Sequence, residues 1–502
     1  MPILFLSYFV RVMSRSSAQT VILLLTTICA VGCGSIANPP IAPGTPIANQ
    51  NTTVTVLAAS TANDRLLEFG IVITSIALTN RAGATVSLFH VDPGAPAFTP
   101  FVEFIHLNGS RQPIATVSIP QDYYVSASIT VQYCSFTVTY GNSSGGLQTD
   151  TYAEGLCNQG TGTAIVNLPV SPIIVAGNAM SLSLDLKVPQ SYTLTTPAAP
   201  GTLATYTISP TFDLIRFPIS SQQTNDQNGG TSVDGEITSI AATGNTFDLT
   251  TPDGFTLTVN SGPGTVFQGV NAFSAVSVGM FADTDLQLQV DGSLLATRIA
   301  VQDTAAKEII IGPLGGVFSS ASVVYTLPVQ HQGIYSVGFG EQFQYNSGTS
   351  FHTSGRFTNL PNLPFPATFD ASNMVAGQYV YLSSSSMSSS GAVRSQANSI
   401  TLMPQTINGT VTNRSTDGGF TIYDVSLAPY DLFPALVPVT GQSPVLSSAD
   451  ASNVHVYVDA NTRLLTSVPI GIGSIIRFNG LLFNDNGVLR MDCGQINDGV
   501  QP

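Results

Sequence analysis

Two short stretches of the chain carry side chains whose spacing suits a defined reaction: Ala30-Val31-Gly32-Cys33 and Gly141-Asn142-Ser143-Ser144-Gly145. In the first, small residues precede a cysteine at the end of the apolar run Thr20 to Ala30. That is the pattern of a bacterial lipobox, in which the cysteine thiol is lipidated and everything before it is removed. Val21 to Ala30 is shorter than the roughly 20 apolar residues that span a bilayer. The alternatives are an ordinary secretory signal cut nearby and an N-terminal membrane anchor. The second stretch matches the G-x-S-x-G of serine hydrolases, where a strand must precede the serine and a helix follow it, with acid and histidine partners downstream. Here strand-like sequence flanks it on both sides, so a polar turn accounts for it, and a serine hydrolase is the weaker alternative.

Other candidate chemistry is sparse. The five histidines, His90, His106, His331, His352 and His455, lack the short pairings typical of zinc sites. Asp283-Thr284-Asp285 and Asn484-Asp485-Asn486-Gly487 offer oxygens to calcium but do not complete a twelve-residue loop, and turn chemistry explains both. Tyr379, Tyr381, Tyr423 and Phe478 are candidate stacking platforms for a saccharide, although alternating aromatics on strands usually face a core. No cofactor, metal or catalytic residue is expected.

Cys29 leaves with the leader and Cys33 is the lipid site. Cys134 and Cys157 then form the expected disulfide, flanking the turn-rich stretch around Gly141 to Gly146. Cys493 is left as a buried free thiol. Arg11 and Arg15 precede the apolar run, and a compact leader would start at Met13 rather than Met1.

The elements that must hold these residues are strands. Only 9% of the 502 residues are charged, where about 25% is usual, and Thr, Ser, Val, Gly and Asn are abundant. This composition suits an exported all-β protein. Lys187 and Lys307 are the only lysines and the net charge is −14, so there is no basic stripe to neutralise phosphates and nucleic acid is not expected as a partner.

A leader at 1–32 is followed by a Pro-rich tether at 33–52. Between it and the polar stretch Ser220 to Ser232 (SSQQTNDQNGGTS), strands are expected at Thr53 to Ala58, Phe69 to Thr79, Ala84 to Val91, Phe101 to Leu107, Ile114 to Ile119 and Tyr123 to Tyr140. They continue at Thr163 to Val170, Met180 to Val188 and Thr205 to Phe217. Eight or nine strands over 53–218 predict an antiparallel β-sandwich, with 219–232 as linker.

An internal repeat follows. Val233-Asp234-Gly235-Glu236-Ile237-Thr238 and Ile407-Asn408-Gly409-Thr410-Val411-Thr412 share one pattern, and Val278-Gly279 recurs as Ile472-Gly473. The hairpin signal Asp291-Gly292 recurs as Asn486-Gly487. A degenerate middle copy is read with Gly316-Val317 at its opening and Ala376-Gly377 as its later motif. Three five-stranded OB-like barrels are therefore expected at 233–305, 309–404 and 405–499. The serine run Ser383 to Ser390 reads as a flexible hairpin tip.

The segments Gly70-Ile71-Val72-Ile73-Thr74-Ser75-Ile76-Ala77-Leu78, Val102-Glu103-Phe104-Ile105-His106-Leu107-Asn108-Gly109 and Ile119-Pro120-Gln121-Asp122-Tyr123-Tyr124 carry a resemblance. Through them, 53–218 resembles a domain-of-unknown-function family of bacterial exported lipoproteins. The repeats resemble a second such family, of short OB-like domains, through Gly235, Gly279 and Gly292. These resemblances imply exported β-domains and supply no catalytic site. The expected protein is a non-catalytic cell-envelope lipoprotein with a structural or interaction role, the alternative being a polysaccharide-binding envelope module. Its expected partners are the membrane, through the N-terminal lipid, and envelope polysaccharide or another envelope protein. Gly34 stands where an Asp would retain some lipoproteins at the inner membrane, which favours the outer membrane or cell surface.

Overall fold

Alternating β-branched and polar residues with Gly and Asn at the turns give a chain built of strands, described by a computed structural model over residues 50–61, 66–91, 101–107, 110–141, 147–195, 205–217, 231–242, 244–301, 308–326, 330–331, 341–357, 359–385, 395–427, 431–436, 446–466 and 469–499. The chain divides after Ala48, and the described residues all belong to the unit Asn49–Pro502. Among the described residues no helix is long and apolar enough to cross a membrane.

The N-terminal part is a sandwich whose strands form an 11-stranded hydrogen-bonded network, eight in one path and three paired off it, with a separate two-stranded hairpin, Tyr192–Thr195 with Thr205–Ile208. One layer centres on Asn51–Ser60, flanked by Gln112–Pro120 and Ala179–Leu186. The other centres on Leu66–Asn80 and the long strand Asp122–Gly141. Between them Val56, Phe69, Ile71, Phe104, Phe136, Leu184 and Phe212 are fully buried. The pairing is mostly antiparallel, with two parallel exceptions, Asn51–Ser60 on Ala179–Leu186 and Thr211–Phe217 on Thr163–Asn167. Two strand expectations need correction. Thr205 to Phe217 is two strands, broken at Ser209-Pro210, and Phe101 to Leu107 is a strand only as far as Glu103. There the Glu103 carboxylate accepts from the backbone N–H groups of Phe69, Ile105 and His106, which turns the chain out of the sheet.

Three five-stranded rings follow. The first comprises Ser232–Ile240, Thr246–Thr250, Thr256–Gln268, Phe281–Leu288 and Leu294–Ala300, the second Glu308–Phe318, Val323–Thr326, Glu341–Gln344, Tyr379–Ser384 and Ser395–Leu402, and the third Gln405–Asp417, Phe420–Leu427, Asn453–Val458, Ile475–Asp485 and Val488–Asp498. In each ring strand one pairs with two, two with three, three runs parallel to five, five pairs with four, and four returns to one. This is an all-β architecture of a sandwich followed by OB-like barrels in tandem.

The repeats also share a local clasp. Gly279, Gly377 and Gly473 all have φ near +90°, a region open to glycine, and their N–H groups donate to the carbonyls of Ile237, Leu314 and Val411. This equivalence corrects the opening of the middle copy. Counting back two residues from the clasp puts Gly312, not Gly316, beside Gly235 and Gly409. The pattern was hidden because Ile311, at the polar position held elsewhere by Asp234 and Asn408, packs with Phe281 of the first barrel and Tyr381. The serine run is corrected as well. Ser383 and Ser384 are buried within a strand, Ser383 sharing a 2.7 Å hydrogen bond with Ser399, while 386–390 lie outside the described residues.

Candidate functional site at the polar junctions between domains

In a chain with so few charges, those that are buried stand out, and most of them lie where one domain meets the next. In the first barrel Asp283 and Asp285 project from the same side of strand four, and Arg298 on strand five lies directly opposite Asp285. Arg298 donates through Nε to Asp285 at 2.7 Å and through Nη2 to Asp283 at 2.6 Å. Arg356, from the second barrel, completes a square of two cations and two anions. Its Nη2 bonds Asp283 and the Ser232 hydroxyl, and its Nε lies 2.9 Å from Asp285. All four side chains are at least nine-tenths buried. Burial alone would raise the pKa of Asp283, but the two guanidiniums outweigh it and hold the carboxyl below its usual range. Asp234, opposite Asp283 on strand one, has no such clamp; burial and the charge of Asp283 push it up to about 7. The repeat motif therefore carries a carboxyl that is largely neutral below that pH.

A second string joins the sandwich to the first barrel. His106 is partly buried, with Nδ1 3.0 Å from Glu103 and Nε2 3.4 Å from Gln112 Oε1. The Gln112 amide donates from Nε2 to Asp253 at 3.0 Å, which fixes its oxygen towards the ring. Both imidazole nitrogens thus face acceptors, an arrangement that favours the protonated ring. Burial opposes that charge, but Glu103, Asp253 and Gln112 together raise the pKa. The pair has the composition of an acid–base dyad, yet its second nitrogen faces Gln112 of the same domain, and it is Gln112 that reaches across to Asp253 of the first barrel. Phe89 and Phe255 pack at 5.9 Å beside the same boundary.

Amides join the second and third barrels. Gln378 donates to the Leu482 carbonyl at 3.0 Å, Gln405 to that of Gly377 at 3.1 Å, and Asn359 to Asp459 at 2.7 Å. Phe365 inserts between Tyr457 and Phe483 of the third barrel.

The structure joins Cys134 and Cys157, with Cα atoms 5.5 Å apart, and buries Cys493 as a free thiol, which raises its pKa. Cys33 and Ser143 lie outside the described residues. The strands on either side of Ser143, Asp122–Gly141 and Leu147–Glu154, pair antiparallel. Asp283 and Asp285 are corrected from turn residues and calcium candidates to strand residues spent on two arginines. Asn484 to Gly487 is a hairpin turn, with Asn486 and Gly487 at positive φ. No group of three or more metal-ligating side chains occurs among the described residues. His352 is exposed, and His455 pairs with Asp424 at 2.6 Å. The aromatic platform is also corrected: Tyr381, Tyr423 and Phe478 are buried and the Tyr379 hydroxyl is enclosed, because these positions face barrel cores and interfaces. Sequence reasoning missed Glu103, Gln112, Asp253, Arg298 and Arg356. The available signal was Asp283-x-Asp285 with Arg298, all within strand-like sequence.

No protein-family model matches the chain, and no curated protein does either. Among solved structures it is similar to "drosophila Unr CSD456", at 12% identity and a TM-score of 0.13, over 54% of this chain and 98% of that one. It is also similar to a multidomain protein with nucleic acid binding domains from Streptococcus pneumoniae, at 11% identity and a TM-score of 0.11, over 56% of this chain and 75% of that one. The expectation that nucleic acid is excluded as a partner is withdrawn here as a correction. The physical reason is that net charge sums over a whole surface, whereas binding depends on local potential.

Proposed function

We propose that the chain is a non-catalytic lipoprotein of the cell envelope, held by lipid on Cys33 at the outer membrane or cell surface. In this reading it acts as a rigid structural or interaction module. The observation that carries the reading is the use of its buried charges: Asp283, Asp285, Arg298 and Arg356, with Glu103, His106, Gln112 and Asp253, fasten domain to domain. Such fastening suits a body that presents fixed surfaces rather than a hinge that closes over a substrate. The Cys134–Cys157 bond supports an oxidising compartment.

The test compares wild type with Cys33→Ala in the native host, by membrane fractionation and crosslinking to neighbouring envelope components. The wild type should pellet with membranes and capture neighbours, and the variant should lose both. A variant that stays in the membrane fraction would overturn the reading.

A further inference from the structure

A tight turn of the first barrel, 251–255, enters the sandwich. It is closed by the Thr251 N–H on the Phe255 carbonyl at 2.9 Å and by the Gly254 N–H on the Thr251 carbonyl at 2.8 Å. Phe255 at its end joins the sandwich core, and Asp253 is fully buried against Gln112. Gln112 therefore stands between titratable groups of two domains. Its Oε1 faces His106 Nε2 at 3.4 Å, and its Nε2 donates to Asp253 at 3.0 Å.

An amide has one donor end and one acceptor end, so the contact at one end sets the contact at the other. With His106 protonated, both ring nitrogens donate, Nδ1 to Glu103 at 3.0 Å and Nε2 to the Gln112 oxygen, and the amide N–H is left for Asp253. A neutral ring keeps its remaining proton on Nδ1, where the Glu103 carboxylate accepts it, and Nε2 becomes an acceptor. The Gln112 oxygen then faces a lone pair. Turning the amide over relieves that contact but sets the oxygen against the Asp253 carboxylate, so neither orientation satisfies both ends. The other groups facing this spot come from all three domains. Glu103 belongs to the sandwich, and Asp234, opposite Asp283, to the first barrel. The second barrel brings the enclosed Tyr379 hydroxyl, which feels Glu103, Asp234 and Asp253, and Arg356, which with Arg298 acts on Asp234.

We propose that Gln112 is a proton-operated latch between the sandwich and the first barrel, closed while His106 is protonated and released when the ring is neutral. Burial lowers the pKa of the ring, and Glu103, Asp253 and Gln112 more than reverse this, so the folded value lies above the ordinary 6.5. The latch therefore contributes its full stability below pH 6.5 and loses it as the pH rises through the higher folded value. The inference rests on the fastening role proposed above and not on the lipid anchor. It is read on purified chain in solution, so the latch and the anchor fail separately.

The test is hydrogen–deuterium exchange of the full chain, read by mass spectrometry on peptides covering 251–255 at pH 6 and pH 9 and corrected for the intrinsic rate at each pH. Glu68 titrates within the same sandwich, so the comparison is made in wild type and again in Glu68→Gln. At pH 9 the 251–255 amides should exchange about tenfold faster in both chains, the scale of one charge-assisted hydrogen bond. Peptides from the strand Ile475–Asp485 of the third barrel should not respond. Asp253→Asn should remove the response and keep the turn protected at pH 9, because an amide there can meet either end of Gln112. Ring NMR should place the titration of His106, assigned by its loss in His106→Gln, above 6.5. Should a variant fail to fold, the wild-type exchange still decides. Equal exchange at the two pH values, a response that persists in Asp253→Asn, or a His106 that titrates at or below 6.5 would overturn the proposal.

Discussion

Replacing Arg356 with Met tests the junction between the first two barrels. Arg356 brings a cation from the second barrel to Asp283 and Asp285 in the first, where Arg298 is the other cation. Wild type holds two positive and two negative groups there, so Arg356→Met leaves one uncompensated carboxylate. Methionine keeps the apolar stem, and the loss is therefore electrostatic. Breaking a buried pair costs about 3–5 kcal/mol, and the remaining Arg298 places this case at the lower end, about 3 kcal/mol. In the variant a carboxyl gains a raised pKa, so its folded state takes up a proton as pH falls. The penalty must then be largest near pH 8 and shrink towards pH 5. The chain has no tryptophan, so unfolding in urea is best followed by far-UV circular dichroism at both pH values. A loss under about 1 kcal/mol, the range of an exposed pair, would refute the reasoning. So would a loss independent of pH.

Glu68 is buried in the sandwich with Ser135 and Thr137 donating to it, and burial pushes its pKa up to about 7. Its folded value lies above its unfolded one, so the stability it contributes is present below about pH 4.5 and lost as pH rises through 7. Glu68→Gln should therefore gain about 3 kcal/mol over wild type above pH 7 and nothing at pH 4, and a gain that grows towards acid pH would contradict this. Removing the Cys134–Cys157 bond with paired serines should cost about 3 kcal/mol in thermal unfolding, and finding both as free thiols in protein from its native compartment would contradict the pairing. Ser143→Ala should change stability by at most about 0.5 kcal/mol and no turnover in a panel of ester, peptide and glycoside substrates. Wild-type turnover that vanishes in that variant would restore the hydrolase reading.

The periodicity of the strands was legible because alternation in a half-buried strand is a local property, and Gly235, Gly279, Gly409 and Gly473 marked the repeat because backbone geometry demands them. The middle barrel was harder to register for the opposite reason. Ile311 answers to Phe281 of another domain, and its side chain follows that contact rather than the repeat. The same holds for the junctions. Nothing near Arg356 in the sequence announces Asp283, 73 residues away, or ties Gln112 to Asp253 across 141 residues. The strand expected to run from Phe101 to Leu107 stops at Glu103, because a carboxylate that caps its own turn has the same composition as one facing solvent.

Tethering through Cys33 is decided by mass spectrometry of the mature N-terminal peptide from membranes of the native host. The expected chain begins at Cys33 and carries lipid on its thiol. A Cys33 with a free thiol, in a chain that keeps residues 1–32, would contradict it.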